Sequence, residues 1–266
     1  VKDPQNPKDF NPNGLGNVEY RNVSFSYEHS ENPVLKDISF VANRGEITAF
    51  VGSTGSGKST LVNLLPRFYD VTKGSILIDD IDIREVKQSD LRDRIGYVPQ
   101  KGYLFSGTIK SNLEYGKGNA TEQEMISVSK TAQAYDFISK YKREFNNRIT
   151  QGGTNVSGGQ KQRISIARAL IKNPDIYIFD DSFSALDMKT DFALRKALSK
   201  EIKGSTVLIV AQKISTILHA DKIIVLDEGK LVGEGTHEQL LKSCKVYKEI
   251  ALSQLSAKEL KIKKKD

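Results

Sequence analysis

Hydrophobic positions change their spacing several times along the chain. From Val18 they alternate with polar ones in VEYRNVSFSY (18–27), and alternating or β-branched character continues in ISFVANRGEITAFVG (38–52) and GSILIDD (74–80). A period of two puts successive side chains on opposite faces, so these segments predict strands, the early ones antiparallel. Residues 120–145 are polar and helical in tone, with few β-branched runs. Short apolar runs return at IYIFD (176–180), TVLIV (206–210) and KIIVL (222–226), with helical stretches such as 188–202 between them. Strands alternating with helices imply a mostly parallel sheet covered on both faces. The expected architecture is therefore α/β: a mostly parallel core with an antiparallel β subdomain and an α-helical subdomain, the latter over about residues 101–172.

The two ends read differently from the middle. Residues 1–17, VKDPQNPKDFNPNGLGN, hold three prolines, two glycines and four asparagines, and predict a linker from an upstream segment. The domain proper is expected over 18–250, with a basic tail over 251–266. Five lysines in the last nine residues supply much of the net charge of +7, and the rest of the excess is scattered. That distribution weakens a nucleic-acid reading and leaves a solvated end or an anionic membrane surface as the tail's surroundings. A hydrophobic content of 38% and a charged content of 27% fit a soluble globular chain of 266 residues. No apolar run reaches membrane-spanning length, and the N-terminus lacks a secretory leader pattern. The single cysteine, Cys244, rules out an intrachain disulfide and is read as an inert thiol of a reducing compartment.

Chemistry enters at GEITAFVGSTGSGKST, where Gly52, Gly57, Lys58 and Ser59 form the pattern G-x-x-x-x-G-K-[ST] after a strand and before an amphipathic helix bearing Leu61, Leu64, Leu65 and Phe68. Glycines let the backbone curl so that its N–H groups point at phosphate oxygens, assisted by the helix N-terminus. Lys58 would neutralise the β and γ phosphates, and the Ser59 hydroxyl would ligate Mg²⁺. A second glycine-rich site lies in TNVSGGQKQRISIARALIKNPDIYIFDD. Ser157 and Gln160 form a capping box that starts a helix, and Gly158 and Gly159 leave its first turn bare, another anion site. Two phosphate-grasping helix ends need either two ligands or one ligand gripped from both sides.

VSGGQ, about twenty residues before IYIFDD, resembles the signature motif of ATP-binding cassette (ABC) proteins, and the resemblance extends over residues 18–250 in the family's order. It implies a P-loop, RecA-like fold that binds ATP and Mg²⁺. Gly52, Ser53, Thr54, Gly55, Ser56, Gly57, Lys58, Ser59 and Thr60 match the Walker A loop, and Gln100 in YVPQ matches the Q-loop. Ile176 to Asp180 match the Walker B strand, with Asp180 and Gln100 on the metal side, and Ser184 to Asp187 match the D-loop. Tyr27 falls where the family stacks an aromatic on adenine; a half-buried strand aromatic is the other reading, as a surface amide is for Gln100. ABC domains pair head to tail, each ATP lying between one chain's Walker A and the other's signature, so Ser157, Gly158, Gly159 and Gln160 would grip the partner's nucleotide. YLFSGTIKSNLEYG (103–116) and QGGTNVSGGQ (151–160) resemble exporter segments, although Gln151 stands where the family usually has glutamate. THEQLL (236–241) is another capping box, and His237 within it is read as structural.

Two positions depart from the family pattern. Asp181 stands where a glutamate polarises the attacking water, and Gln212 stands where a histidine follows the next strand. Aspartate has similar basicity, but it is shorter by one methylene, about 1.5 Å. A misplacement of about 1 Å can cost on the order of 100-fold where orientation controls the rate. Glutamine can hydrogen-bond a γ-phosphate but carries neither a proton nor a charge. Such paired departures resemble one subunit of heterodimeric bacterial exporters, in which one site holds ATP and the other hydrolyses it. The expectation is an exporter's ATP-binding domain at the cytoplasmic face of the cell membrane, with Asp181, Gln212 and Gln100 as its catalytic residues. Its partners would be transmembrane domains and a second, catalytically complete domain. A site in which Asp181 still catalyses adequately, a non-hydrolysing regulatory subunit and an importer ATPase remain the alternatives.

Overall fold

The alternating segment after Val18 becomes β1 (Val18–Phe25) in the computed structural model, which describes residues 1–30 and 32–255. Val18, Tyr20, Val23 and Phe25 are buried and the residues between them are not, as a half-covered strand requires. The chain continues through β2 (Leu35–Ala42), β3 (Ile47–Gly52), α1 (Lys58–Leu64), β4 (Lys73–Ile78), β5 (Ile81–Asp82) and α2 (Gln88–Asp93). Next come β6 (Ile95–Val98), β7 (Gly107–Thr108), α3 (Ile109–Glu114), α4 (Glu122–Thr131), α5 (Tyr135–Ile138), β8 (Arg148–Ile149), α6 (Gly158–Lys172), β9 (Ile176–Asp180) and α7 (Met188–Glu201). The last elements are β10 (Thr206–Val210), α8 (Ile214–Ile217), β11 (Lys222–Asp227), β12 (Lys230–Gly235), α9 (His237–Ser243) and α10 (Lys245–Gln254).

These elements divide into two units, Val1–Arg92 with the residues from Thr206 onward, and Asp93–Ser205. In the first, β1 pairs antiparallel with β2 and β4, and β4 with β5. In the same unit β3 pairs parallel with both β10 and β11, and β12 closes that edge antiparallel to β11. Thr48, Ala49, Phe50 and Val51 of β3 and all of β10 are buried, which explains why these strands read as continuous apolar runs rather than alternations. In the second unit β6 and β9 pair parallel, and four of its helices, α3 to α6, lie within residues 109–172.

Some sequence readings shift. Helix α1 stops at Leu64 because Pro66 follows, which lacks the N–H that a continuing helix needs. Phe68 is therefore outside the helix and 44% exposed, while Leu61, Leu64 and Leu65 are buried as expected. Residues 1–17 contain no helix or strand, yet they are tied to the first unit. Lys8 N donates to the Glu85 carbonyl at 2.7 Å, Gln88 N to the Asp3 carboxylate at 2.9 Å, and Gly16 and Asn17 N to the Asp79 carboxylate at 3.0 and 2.9 Å. Residues 251–254 continue α10, and the lysines of the tail lie in 256–266, outside the described residues.

Candidate functional site

The phosphate loop leaves β3 at Gly52, where a Cβ would lie 2.1 Å from the Leu226 carbonyl oxygen of the neighbouring β11. Gly57 caps α1 at φ 97, and a Cβ there would meet Leu35 Cδ2 at 2.7 Å. Only glycine allows both the left-handed turn and the close approach, so these two positions fix the loop's path. Lys58, the first helical residue, is buried, and its ammonium donates to the carbonyls of Gly52 at 2.9 Å and Ser53 at 2.8 Å. The charge thus sits inside the curl of the loop. Ser53, Thr54, Gly55 and Ser59 are exposed, whereas Ser56 and Thr60 are buried.

Tyr27 stands beside this loop in the same unit. Its hydroxyl lies 2.9 Å from Thr60 Oγ1, and its ring packs edge-on against Phe25 and Tyr69 with centroids 4.8 and 5.2 Å apart. The ring is 36% exposed. An aromatic fixed at its edges and tip with area to spare suits stacking of a planar base. Tyr69 is a member of this cluster that the sequence pattern did not single out.

In the second unit, pairing of Val98 with Phe179 brings the carboxyl ends of β6 and β9 together, and with them Gln100, Asp180 and Asp181. Asp180 is buried, and the Tyr97 hydroxyl donates to its Oδ2 at 3.4 Å. Burial, reinforced by the Asp180 carboxylate, pushes the Tyr97 phenol well above its usual range, so it remains a donor. Asp181 is also buried and adopts φ 46, the left-handed region. Gln100 Nε2 donates to its Oδ2 at 2.9 Å, and Ser184 Oγ donates to its carbonyl at 2.8 Å. Ser182 Oγ, with no exposure, donates to the Val98 carbonyl at 2.8 Å and locks the turn onto β6. Two of the three residues assigned to catalysis are thereby in direct contact. The third, Gln212, follows β10 in the first unit and is exposed.

Helix α6 starts with the predicted capping box. Gln160 N donates to Ser157 Oγ at 3.2 Å and Ser157 N to Gln160 Oε1 at 2.9 Å. A Cβ at Gly158 would meet nothing within 4 Å, and one at Gly159 would approach the Ala185 carbonyl at 3.6 Å, so the bare first turn lies beside the SALD segment. One turn on, Gln162 accepts from Gly102 N at 2.7 Å and donates to the Pro99 carbonyl at 3.0 Å, bracketing Gln100. Gln162 belongs to no motif legible in the sequence, and its buried amide inside a helix is what marks it out. Away from these loops, His237 Nδ1 lies 2.7 Å from the Tyr247 hydroxyl, a buried pair joining α9 to α10, which agrees with its reading as structural.

A strand, phosphate loop and helix in one unit, with an acidic strand end and a capped S-G-G-Q helix in the other, form a combination that comparison with known proteins can test. The model of a family described as ABC transporter matches residues 35–184. The chain belongs to the ABC transporter family. This ABC domain is 49% identical over 255 residues to an uncharacterized ABC transporter ATP-binding protein of Mycobacterium tuberculosis, covering 94% of the chain and 43% of that protein. It is 46% identical over 235 residues to a Bacillus subtilis protein described as a candidate multidrug export ATP-binding/permease protein, covering 88% of the chain and 40% of that protein. Among solved structures, a bacterial Atm1-family ABC exporter with ATP bound matches at a TM-score of 0.91 and 37% identity, covering 97% of this chain and 45% of that one. The chain thus spans less than half the length of these relatives.

The residues fit the nucleotide and ion that the family implies. The two glycines without room for a Cβ leave backbone N–H groups free to approach phosphate oxygens, with the Lys58 charge already in the curl. Among the described residues no group of three or more His, Cys, Asp and Glu side chains could cage a metal. Mg²⁺ needs only one or two protein oxygens, such as the exposed Ser59 hydroxyl, with phosphates and water completing its shell.

Proposed function

We propose that this chain is the ATP-binding domain of an ABC exporter whose own Walker A site holds ATP but hydrolyses it slowly. The observation that carries this reading is the Asp181 carboxylate, buried in a left-handed turn and tethered to Gln100. It is a methylene shorter than the family's glutamate, and its Oδ2 is engaged by Gln100. Lys58 would neutralise the terminal phosphates, Ser59, Asp180 and Gln100 would serve Mg²⁺, and Tyr27 would carry the base. Gln212 would hydrogen-bond the γ-phosphate without supplying a proton or charge. Mg²⁺, when bound, offsets phosphate charge and polarises the terminal phosphoryl group.

The signature residues Ser157 to Gln160 are complete, so they would complete the partner's site, where that chain supplies its own glutamate and histidine. The partner is a second, catalytically intact ABC domain, and the load is transport through membrane domains at the cytoplasmic face. Tyr103, Phe105 and Tyr115 form an exposed aromatic cluster in the segment that resembles exporters, which supports docking on such domains. Among the described residues no helix is long and apolar enough to cross a membrane.

Phosphate release from the purified chain tests the reading. Slow turnover with tight ATP retention is expected, and Asp181→Glu combined with Gln212→His should raise the rate. Brisk turnover by the unmodified chain would rule out a degenerate site. No gain in the double variant would leave nucleotide binding alone as the better account.

A further inference from the structure

The loop that carries Gln212 is held by one side chain from the other end of the first unit. Gln254, the last residue of α10, donates from Nε2 to the Gln212 carbonyl at 2.9 Å and accepts at Oε1 from Ile214 N at 2.8 Å. Lys213 between them is extended, at φ −102 and ψ 126, so the carbonyl before it and the N–H after it point the same way. A primary amide has a donor and an acceptor side by side and can satisfy both groups, as a neighbouring strand would. Beneath the loop Ile214 is fully buried, and α10 is itself anchored by buried Tyr247 and Ala251. The backbone on either side of Lys213 is thus fixed from both sides, while the Gln212 side chain stays exposed.

We propose that Gln254 is a positioning residue for Gln212, setting the backbone from which that side chain reaches the γ-phosphate. The inference rests on the γ-phosphate role given to Gln212 above. Glutamine is required because leucine offers neither hydrogen bond, glutamate has no donor for the Gln212 carbonyl, and asparagine is a methylene too short to reach both groups. A residue that only stabilises the fold would affect every nucleotide alike. One that acts through Gln212 affects only nucleotides with a γ-phosphate.

The test is displacement of a fluorescent nucleotide from the purified chain by Mg·ATP and, separately, by Mg·ADP. Gln254→Leu should weaken ATP about tenfold or more, the worth of one hydrogen bond to a charged group, and leave ADP unchanged. In a Gln212→Ala background the same change should have no further effect. Equal weakening of ATP and ADP, or additivity with Gln212→Ala, would overturn the proposal. If Gln212→Ala weakens ATP while Gln254→Leu is silent, the positioning role fails and the γ-phosphate reading stands. If Gln212→Ala is itself silent, both fail. Should Gln254→Leu not fold, Gln254→Glu keeps the shape and the bond from Ile214, and the same ATP-selective loss is expected of it.

Discussion

Replacing Asp181 with glutamate should raise ATP turnover and weaken the second unit at the same time. The backbone at φ 46 is one that aspartate tolerates through local hydrogen bonding. Longer side chains lose that support, at a cost of about 1 kcal/mol. Moving the carboxylate outward by one methylene also breaks its 2.9 Å contact with Gln100. A hydrogen bond to a charged group contributes about 1.5–3 kcal/mol, and part of it returns if the new carboxylate finds water. A net loss of about 2 kcal/mol follows, which would speed exchange of the most protected amides about 30-fold. Hydrogen exchange at β6 and β9 reads this directly, without requiring the two units to unfold together. Over the same change, turnover should rise on the order of 100-fold, equivalent to about 2.7 kcal/mol of barrier. Phosphate release at saturating Mg·ATP measures it. Unchanged exchange would show that neither aspartate's fit to the left-handed turn nor the Gln100 tether contributes to stability. Unchanged turnover would show that side-chain length is not what limits the site.

Gly57→Ala adds a Cβ at φ 97 within 2.7 Å of Leu35 Cδ2. It should cost about 2–4 kcal/mol and abolish binding of a fluorescent ATP analogue, with melting and titration as the checks. Tyr27→Ala should weaken ATP and ADP equally by about tenfold, whereas Tyr27→Phe, which keeps the ring and loses only the Thr60 contact, should change affinity less than about threefold. Unequal effects on the two nucleotides would place Tyr27 away from the base. Burial holds the His237 imidazole below its ordinary value, so the folded chain favours the neutral ring. The unfolded chain binds more protons below about pH 6.5, and the stability this histidine contributes above that pH is lost on acidification. His237→Gln should flatten that part of the urea-midpoint profile, and an unchanged profile would assign it to other groups.

The phosphate loop and the signature helix could be read from the chain because each rests on short-range rules. Gly52 and Gly57 mark backbone that no other residue can follow, and Ser157 and Gln160 satisfy each other across one turn. Central strands such as IYIFD declare themselves by burial on both faces. What the pattern does not announce is structure that depends on distant partners. IGYV at β6 is only four residues long and includes a glycine, and it becomes a strand through pairing with β9. Gln162 and Gln254 look like ordinary helix residues until the fold brings Pro99 and Gly102 to one, and Gln212 and Ile214 to the other. The left-handed backbone of Asp181 is equally silent in the sequence, since it arises where the end of β9 is pinned to Val98 through Ser182.

Gln162 has a consequence beyond holding a loop in place. It lies on α6 two positions after Gln160, so a rigid helix begins at the bare glycines and, within its second turn, grasps the main chain on either side of Gln100. A helical rise of about 1.5 Å per residue puts the two ends of that linkage only about 6 Å apart along the axis. Any tilt of the helix must shift the Pro99 carbonyl and the Gly102 amide or break a hydrogen bond. Gln100 in turn touches the Asp181 carboxylate. The same buried amide thus couples the position of the helix begun by the bare glycines to the main chain on both sides of the residue that holds the Asp181 carboxylate.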